Sequence, residues 1–291
     1  MNDFDEDLTY GPDILENLIE DYENEAISET SWPTMVLHFQ VRKQVWSMCE
    51  SVGQSAWGVP ATACRLAERF LSISCKICLK DRRDYAGWAQ HKKVLGRQIY
   101  LIIAVSIQLA AKVSDRVAYV PASFIRSVLM KAGIQHTKEE ILAMEIHFYK
   151  TLDYRLPKWS TLETAEFLAR MLGLAKERKV TLLLAPITDM TELHRDIFED
   201  HIKAWDGACN TPGSSSSKAA TGTVHNLALC AGVLSATMRH EPPPSEPGLT
   251  ARIAGLVKID VAYVTAIADI ILEHILPDKK PKPLLKRKRN Q

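Results

Sequence analysis

The feature that most constrains the fold is an apolar run from Ile99 to Ala111, broken only by Tyr100, Ser106 and Gln108. This run is shorter than the stretch of about 20 apolar residues that spans a bilayer. Apolar side chains continue around every side of a helix drawn from residue 96 to residue 113. A helix that is hydrophobic all round is buried in the middle of a bundle. The run therefore predicts the central helix of a helical bundle rather than a membrane span.

Apolar residues recur at helical spacing on both sides of this segment, and they predict further helices. We expect four more in the first half, beginning near Thr34, Val59, Pro121 and Thr137. Thr137 and Glu140 have the spacing of a capping box. In the second half, the helical segments are 163–172, 180–198, 224–238, 249–256 and 261–275. Because no alternating run predicts a strand, the fold class is all-α, with a five-helix box followed by a second, divergent bundle.

Composition shifts along the chain predict four regions. Residues 1–30 form an acidic extension with a short amphipathic helix, 31–157 the first bundle, 158–277 the second bundle, and 278–291 a basic tail that we expect to be disordered. Three connections follow from polar, serine-rich or proline-rich composition, at residues 78–93, 209–222 and 240–248.

Bulk composition excludes few functions. The 291 residues are 46% hydrophobic and 24% charged with a net charge of +1, which is ordinary for a soluble globular protein. The N-terminus is acidic and has no signal-peptide pattern, so we expect an intracellular protein with free thiols and no membrane partner.

Cys75 and Cys78 form a CxxC pair, and His91 is a candidate third ligand. A structural zinc site needs four ligands, so we expect no metal and no cofactor.

Sequence motifs of enzymes are incomplete. His194, Arg195 and Asp196 imitate the catalytic triplet of protein kinases, but the glycine-rich loop and the metal-binding asparagine are missing. We interpret the triplet as a solvated helix face and expect no catalytic residues and no enzyme activity. Thr211 and Pro212 form a minimal site for proline-directed kinases.

One charged residue interrupts an apolar stripe. Glu145 lies between Ile141 and Phe148 at helical spacing, and an unpaired buried carboxylate costs several kcal/mol, roughly. Lys112, at the end of the apolar helix, is the candidate cation. Two interpretations stay open at this point. Either the two residues face a partner, or Lys112 complements a helix C-terminus and Glu145 lies at the exposed margin of the stripe.

Three segments resemble the cyclin family. They are AERFLSI at residues 67–73, SIQLAAKV at 106–113 and HTKEEILAMEIHFYKTLDYRL at 136–156. The resemblance covers roughly residues 34–174 and implies a cyclin box. In cyclins a lysine and a glutamate at these motif positions contact the kinase, so the resemblance implies that Lys112 and Glu145 bind a cyclin-dependent kinase.

The resemblance also implies an ion pair within the first bundle and a biological role. Many cyclins pair an arginine in the first box helix with an acid in the second, and here Glu68 stands at the acid's place with Arg42 as the candidate base. The motifs are most similar to a meiotic, cyclin-like branch of the family. That similarity implies a regulatory or scaffold protein in the nucleus, on meiotic chromosomes, which binds recombination proteins and promotes crossover maturation.

Two basic regions remain. Paired cyclin-like bundles also occur in general transcription factors that grip DNA, which is the alternative function. The candidate cations for it are Lys76, Lys80, Arg82, Arg83, Lys92, Lys93 and Arg97, although a solvated connection is equally compatible with them, so direct nucleic-acid binding stays open. The tail predicts a nuclear localisation signal made of Lys279, Lys280, Lys282, Lys286, Arg287, Lys288 and Arg289.

Overall fold

The computed structural model describes residues 11–29, 37–81, 85–114, 116–157, 159–196, 200–202, 226–240 and 248–275. Every regular element in these ranges is a helix, which confirms the predicted all-α class. The α-helices are α1 (Gly11–Glu29), α2 (Phe39–Ser51), α3 (Val59–Asp81), α4 (Tyr85–Val113), α5 (Ala122–Lys131), α6 (Lys138–Thr151), α7 (Thr161–Met171), α8 (Arg178–Leu193), α9 (Asn226–His240), α10 (Leu249–Leu256) and α11 (Val261–Ile270), and a π-helical turn, Ile271–Ile275, continues α11.

Helix α4 lies at the centre of the first bundle. It packs against α2, α3, α5 and α6, and its residues 101–111 are buried in one continuous hydrophobic core. By length and apolar composition alone, Gly87–Val113 could cross a membrane, but 61% of its apolar window is buried inside the protein. The hydrophobicity that the sequence shows is accounted for by packing against four neighbouring helices.

The predicted connection at residues 78–93 is wrong for most of its length. Helix α3 continues to Asp81 and α4 already begins at Tyr85, so the two form a long antiparallel hairpin that extends past the box core. Charge density suggested a loop, but lysine, leucine, alanine and glutamine are all good helix formers. The inward side of this part of α4 is also partly apolar, with Leu95 packed against the core.

The predicted capping box of α6 is confirmed. The Glu140 N–H donates to Thr137 Oγ1 at 3.1 Å, and the Thr137 N–H donates to Glu140 Oε2 at 3.0 Å. A second capping box starts α7, where Ser160 and Glu163 exchange the same two bonds at 3.1 and 2.7 Å. Both boxes satisfy amide groups that a helix start leaves without partners.

The second bundle has its own core around α9. This helix packs against α7, α8, α10 and α11, and residues 227–238 are all buried. Gly232 allows the closest approach, because a Cβ at that position would lie 1.9 Å from Ile267 Cγ2 on α11.

Helix α1 joins this second core rather than standing apart. Leu15, Leu18 and Ile19 are buried in it, and Tyr22 Oη lies 3.0 Å from Thr164 Oγ1 on α7. The Arg65 guanidinium on α3 lies 6.0 Å from the centre of the Tyr22 ring. The amphipathic N-terminal helix expected from sequence therefore bridges the two bundles.

Candidate partner-binding site

Lys112 and Glu145 meet at one edge of the box. Lys112 closes α4, Glu145 lies in the middle of α6, and Lys112 Nζ forms an ion pair with Glu145 Oε1. The Lys112 side chain is 26% exposed and the Glu145 side chain is 9% exposed. The two residues therefore converge as expected, but Glu145 is more buried than we expected of a group that waits for a partner.

Exposed apolar side chains lie on the same chain segments as this ion pair. The ring of Tyr119 lies beneath Lys112, with Nζ 5.3 Å from the ring centre. Leu142 and Ile146 are one turn apart on α6, on either side of Glu145 in the sequence, and Ile146 is 54% exposed. We call Lys112, Tyr119, Leu142, Glu145 and Ile146 the α4–α6 surface. Apolar groups left in water beside a polar pair are typical of protein-binding surfaces.

The sequence did not single out Leu142 and Ile146 as surface residues. Both were available from the periodicity of α6, because they fall between the buried positions Ile141, Met144 and Phe148. An apolar residue that is out of phase with the buried stripe is the signal that would have identified them.

The predicted pair of Arg42 and Glu68 is present, and it is buried. Arg42 is 0% exposed; its Nη2 pairs with Glu68 Oε1, and its Nε donates to the Leu37 carbonyl at 3.0 Å. The Leu37 N–H donates to the same Glu68 carboxylate at 2.7 Å. This pair therefore fixes the start of α2 against α3.

The second bundle completes the cluster with residues that sequence reasoning missed. Arg42 Nη1 donates to the Glu192 carbonyl at 2.7 Å, and it lies 3.7 Å from Glu192 Oε2. Glu192 also accepts from Thr161 Oγ1 at 2.5 Å, and it lies 3.4 Å from Arg195 Nη1. We call Arg42, Glu68, Glu192 and Arg195 the inter-bundle charge cluster.

The solvated interpretation of His194, Arg195 and Asp196 is wrong. Arg195 is buried and donates from Nη2 to Asn226 Oδ1 at 2.6 Å. Asp196 Oδ2 accepts from the Phe39 N–H at 2.7 Å, and the His194 ring stacks on Phe39 at 4.7 Å. His194 and Asp196 looked exposed because their partner Phe39 on α2 lies more than 150 positions away in the sequence.

The electrostatics of the cluster follow from its burial. Burial raises the pKa of Glu68, although Arg42 and Arg195 oppose the effect. Burial acts in the same direction on Glu192, but Arg195, Arg42 and the Thr161 hydroxyl outweigh it, so the pKa of Glu192 lies below its usual value. Asp189, one turn earlier on α8, lacks such partners, and burial together with the charge of Glu192 raises its pKa to about 6.

Some of the remaining predicted residues lie in the part of the chain that the structure describes, and others lie outside it. Cys75 and Cys78 are buried, and among the described side chains no three potential ligands come together in a way that could hold a metal. Lys92, Lys93 and Arg97 lie exposed on α4. The residues that lie outside the described ranges are Arg82, Arg83, Thr211 and all seven tail cations, Lys279, Lys280, Lys282, Lys286, Arg287, Lys288 and Arg289.

Known proteins are similar to part of this chain. No protein-family model matches the chain. It is similar to cyclin N-terminal domain-containing protein 1 of Homo sapiens, with 27% identity over 129 residues, 43% of this chain and 39% of the relative. It is also similar to the protein of the same name from Mus musculus, with 26% identity over 155 residues, 49% of this chain and 46% of the relative.

Each of these matches covers less than half the length of the curated relative. Together with the all-helical architecture, they confirm the cyclin-like relationship that the sequence motifs indicated. The chain is therefore similar to cyclin-like proteins over less than half of its length.

Proposed function

We propose that this chain is a non-enzymatic regulatory protein that binds a cyclin-dependent kinase through the α4–α6 surface. The observation that carries the proposal is the ion pair of Lys112 and Glu145, with Tyr119 against Lys112 and the exposed side chain of Ile146 on the same helix as Glu145. An incoming apolar helix could bury these side chains and take over a hydrogen bond from either charge. Burial of a large apolar side chain is worth about 1.5–3 kcal/mol.

The biological setting that we propose is meiotic recombination. A cyclin-like scaffold on chromosomes would bind recombination proteins and promote the maturation of crossovers. The basic tail would serve as its nuclear localisation signal. The support is the resemblance to the meiotic, cyclin-like branch of the family. The curated relatives are matched only in part, so the setting rests on that resemblance.

Binding is tested with purified full-length chain against individual recombinant cyclin-dependent kinases, measured by calorimetry. We expect Lys112→Ala to weaken binding by about 30-fold or more, which corresponds to the 2–5 kcal/mol lost when a desolvated interfacial charge loses its partner. We expect a loss at least as large for Ile146→Asp, because it would bury an unpaired carboxylate in the interface. The matched control is Leu182→Asp, since Leu182 is also exposed but lies on α8 of the second bundle. Equal affinity for Ile146→Asp and the unchanged chain would reject the surface.

The setting is tested separately in cells that undergo meiosis. We expect loss of the chain to lower the number of crossovers per nucleus, and re-expression of the Leu182→Asp control, but not of Ile146→Asp, to restore it. A normal crossover number without the chain would reject the meiotic role and leave the kinase-binding result standing. The nuclear localisation signal is tested by changing the seven tail cations to glutamine, which should leave the protein in the cytoplasm.

A further inference from the structure

The outer face of the α3–α4 hairpin carries a cluster of cations that the α4–α6 surface does not use. On α4, the exposed residues between positions 89 and 100 are Ala89, Gln90, Lys92, Lys93, Val94, Gly96, Arg97 and Tyr100. At 100° per residue these positions fall on one continuous side of the helix, with Lys93 near its middle. At 1.5 Å per residue this side is about 17 Å long. We call it the hairpin face.

The hairpin face is positively charged without compensation from its own helix. Helix α4 has 29 residues, Tyr85–Val113, and none of them is aspartate or glutamate. Lys93 and Arg97 form no ion pair with any acid in the part of the chain that the structure describes. Lys92 lies 5.5 Å from the centre of the Trp88 ring and is otherwise exposed. Solvated helix faces normally intersperse acids and bases, and this face does not.

A glycine in the middle of the face adds a second observation. Gly96 lies inside the helix, where glycine costs roughly 0.5–1 kcal/mol relative to alanine. A Cβ there would meet nothing within 4 Å, so packing inside the protein does not require it. A surface that comes close to the helix backbone between Lys93 and Arg97 would require it. Glycine on a binding face is used where a ligand approaches the backbone.

We propose that the hairpin face binds the phosphate backbone of duplex DNA without reading its sequence. Phosphates are closely spaced along the duplex, and lysine and arginine that neutralise them release condensed counterions, which drives binding. Lys92, Lys93 and Arg97 fall within about 8 Å along the helix axis, a length over which the duplex presents several phosphates. Because all three cations contact phosphates in this proposal, the amide of Gln90 is the one group left on the face that could reach a base edge, so sequence specificity is not expected. This proposal is independent of kinase binding.

The test measures the affinity of the full-length chain for a fluorescent duplex of about 20 base pairs, at salt concentrations from about 50 to about 150 mM. In the variant Lys92→Ala, Lys93→Ala, Arg97→Ala, we expect the slope of log K against log salt to fall by about 2.7, that is about 0.9 for each phosphate that is no longer neutralised. The unchanged chain should bind more tightly than the variant, and the ratio of their association constants should fall about twentyfold between about 50 and about 150 mM salt.

The matched control is Lys43→Ala, Lys131→Ala, Lys176→Ala, which removes the same charge from exposed positions on other parts of the surface. It should keep the slope and affinity of the unchanged chain. The single variant Lys93→Glu, in the middle of the face, should weaken binding even if the triple variant proves unstable. Thermal melting of each variant establishes that it is folded.

Three outcomes would overturn the proposal. Equal slopes for the hairpin and control variants would show that net charge alone matters. A loss of binding only when the seven tail cations are changed to glutamine would assign DNA binding to the tail. Competition by poly-glutamate as strong as by unlabelled duplex at equal charge would assign the face to an acidic protein segment instead.

Discussion

The inter-bundle charge cluster and the ion pair of Lys112 and Glu145 differ in what surrounds them. The inter-bundle charge cluster is closed: Arg42 is completely buried, and its hydrogen bonds and ion pairs are all made with groups of the chain itself. Lys112 and Glu145 form a pair that is open to water on the lysine side, where Lys112 lies over the exposed ring of Tyr119. The first set holds the two bundles together, and the second set is the one that we propose to bind a partner.

Removing Arg42 should give the largest effect. Arg42→Ala leaves Glu68 and Glu192 buried with one fewer cation between them, and breaking a buried ion pair costs about 3–5 kcal/mol. We expect the free energy of unfolding to fall by that amount in chemical denaturation. The neighbouring Lys43→Ala, at an exposed position, should change it by less than about 0.5 kcal/mol. A stable Arg42→Ala protein would contradict the structural role of the cluster.

The pH dependence of stability should report on Asp189 at the edge of the same cluster. Its pKa is raised to about 6 from a usual value of 3.8, so the folded protein holds a proton that the unfolded chain has already lost. The stabilising effect of that proton is present at low pH and is lost as pH rises through about 6. The full effect, about 3 kcal/mol, builds up only below about pH 3.8, and the part lost between about pH 5 and about pH 7.5 is about 1 kcal/mol.

Asp189→Asn isolates this contribution. We expect the variant to be more stable than the unchanged chain at about pH 7.5, because the amide stays neutral, and to show a flatter pH profile down to about pH 5. Glu192 works in the opposite sense: its lowered pKa contributes stability above about pH 4.5, which is lost on acidification below that value. An unchanged profile in Asp189→Asn would show that this carboxylate does not titrate in the range.

The smallest effect on stability should come from the α4–α6 surface, and it should be asymmetric. Glu145→Ala leaves a lysine that can reach water, so we expect a loss of about 1 kcal/mol or less. Lys112→Ala leaves a carboxylate that is only 9% exposed, so the loss should be larger, about 1–3 kcal/mol. Thermal melting of the two variants side by side measures the difference. Losses of about 3–5 kcal/mol for both would place this pair in the same class as the buried cluster.

Local patterns in the sequence predicted the elements that depend on local physics. The capping box at Thr137, the buried α4 segment and the pairing of Arg42 with Glu68 all follow from residue spacing, or from spacing together with resemblance. The hairpin formed by the end of α3 and the start of α4 was missed because charge was interpreted as a loop, whereas long charged side chains are compatible with an exposed helix.

Long-range contacts could not be obtained in this way. Arg42 and Glu192 are 150 positions apart, and nothing in the periodicity of α2 or α8 indicates that their ends meet. The exposure of Ile146, by contrast, could have been obtained from the periodicity of α6, because this residue is out of phase with the buried positions.

Site-specific cross-linking of the assembled complex tests the central claim most directly. A photo-reactive amino acid replaces Ile146 in one full-length protein and Leu182 in another, and each is irradiated in the presence of a purified cyclin-dependent kinase that binds the unchanged chain. The account predicts a cross-link to the kinase from position 146 and none from position 182. Cross-links from position 182 alone would contradict the account and place the partner on the second bundle.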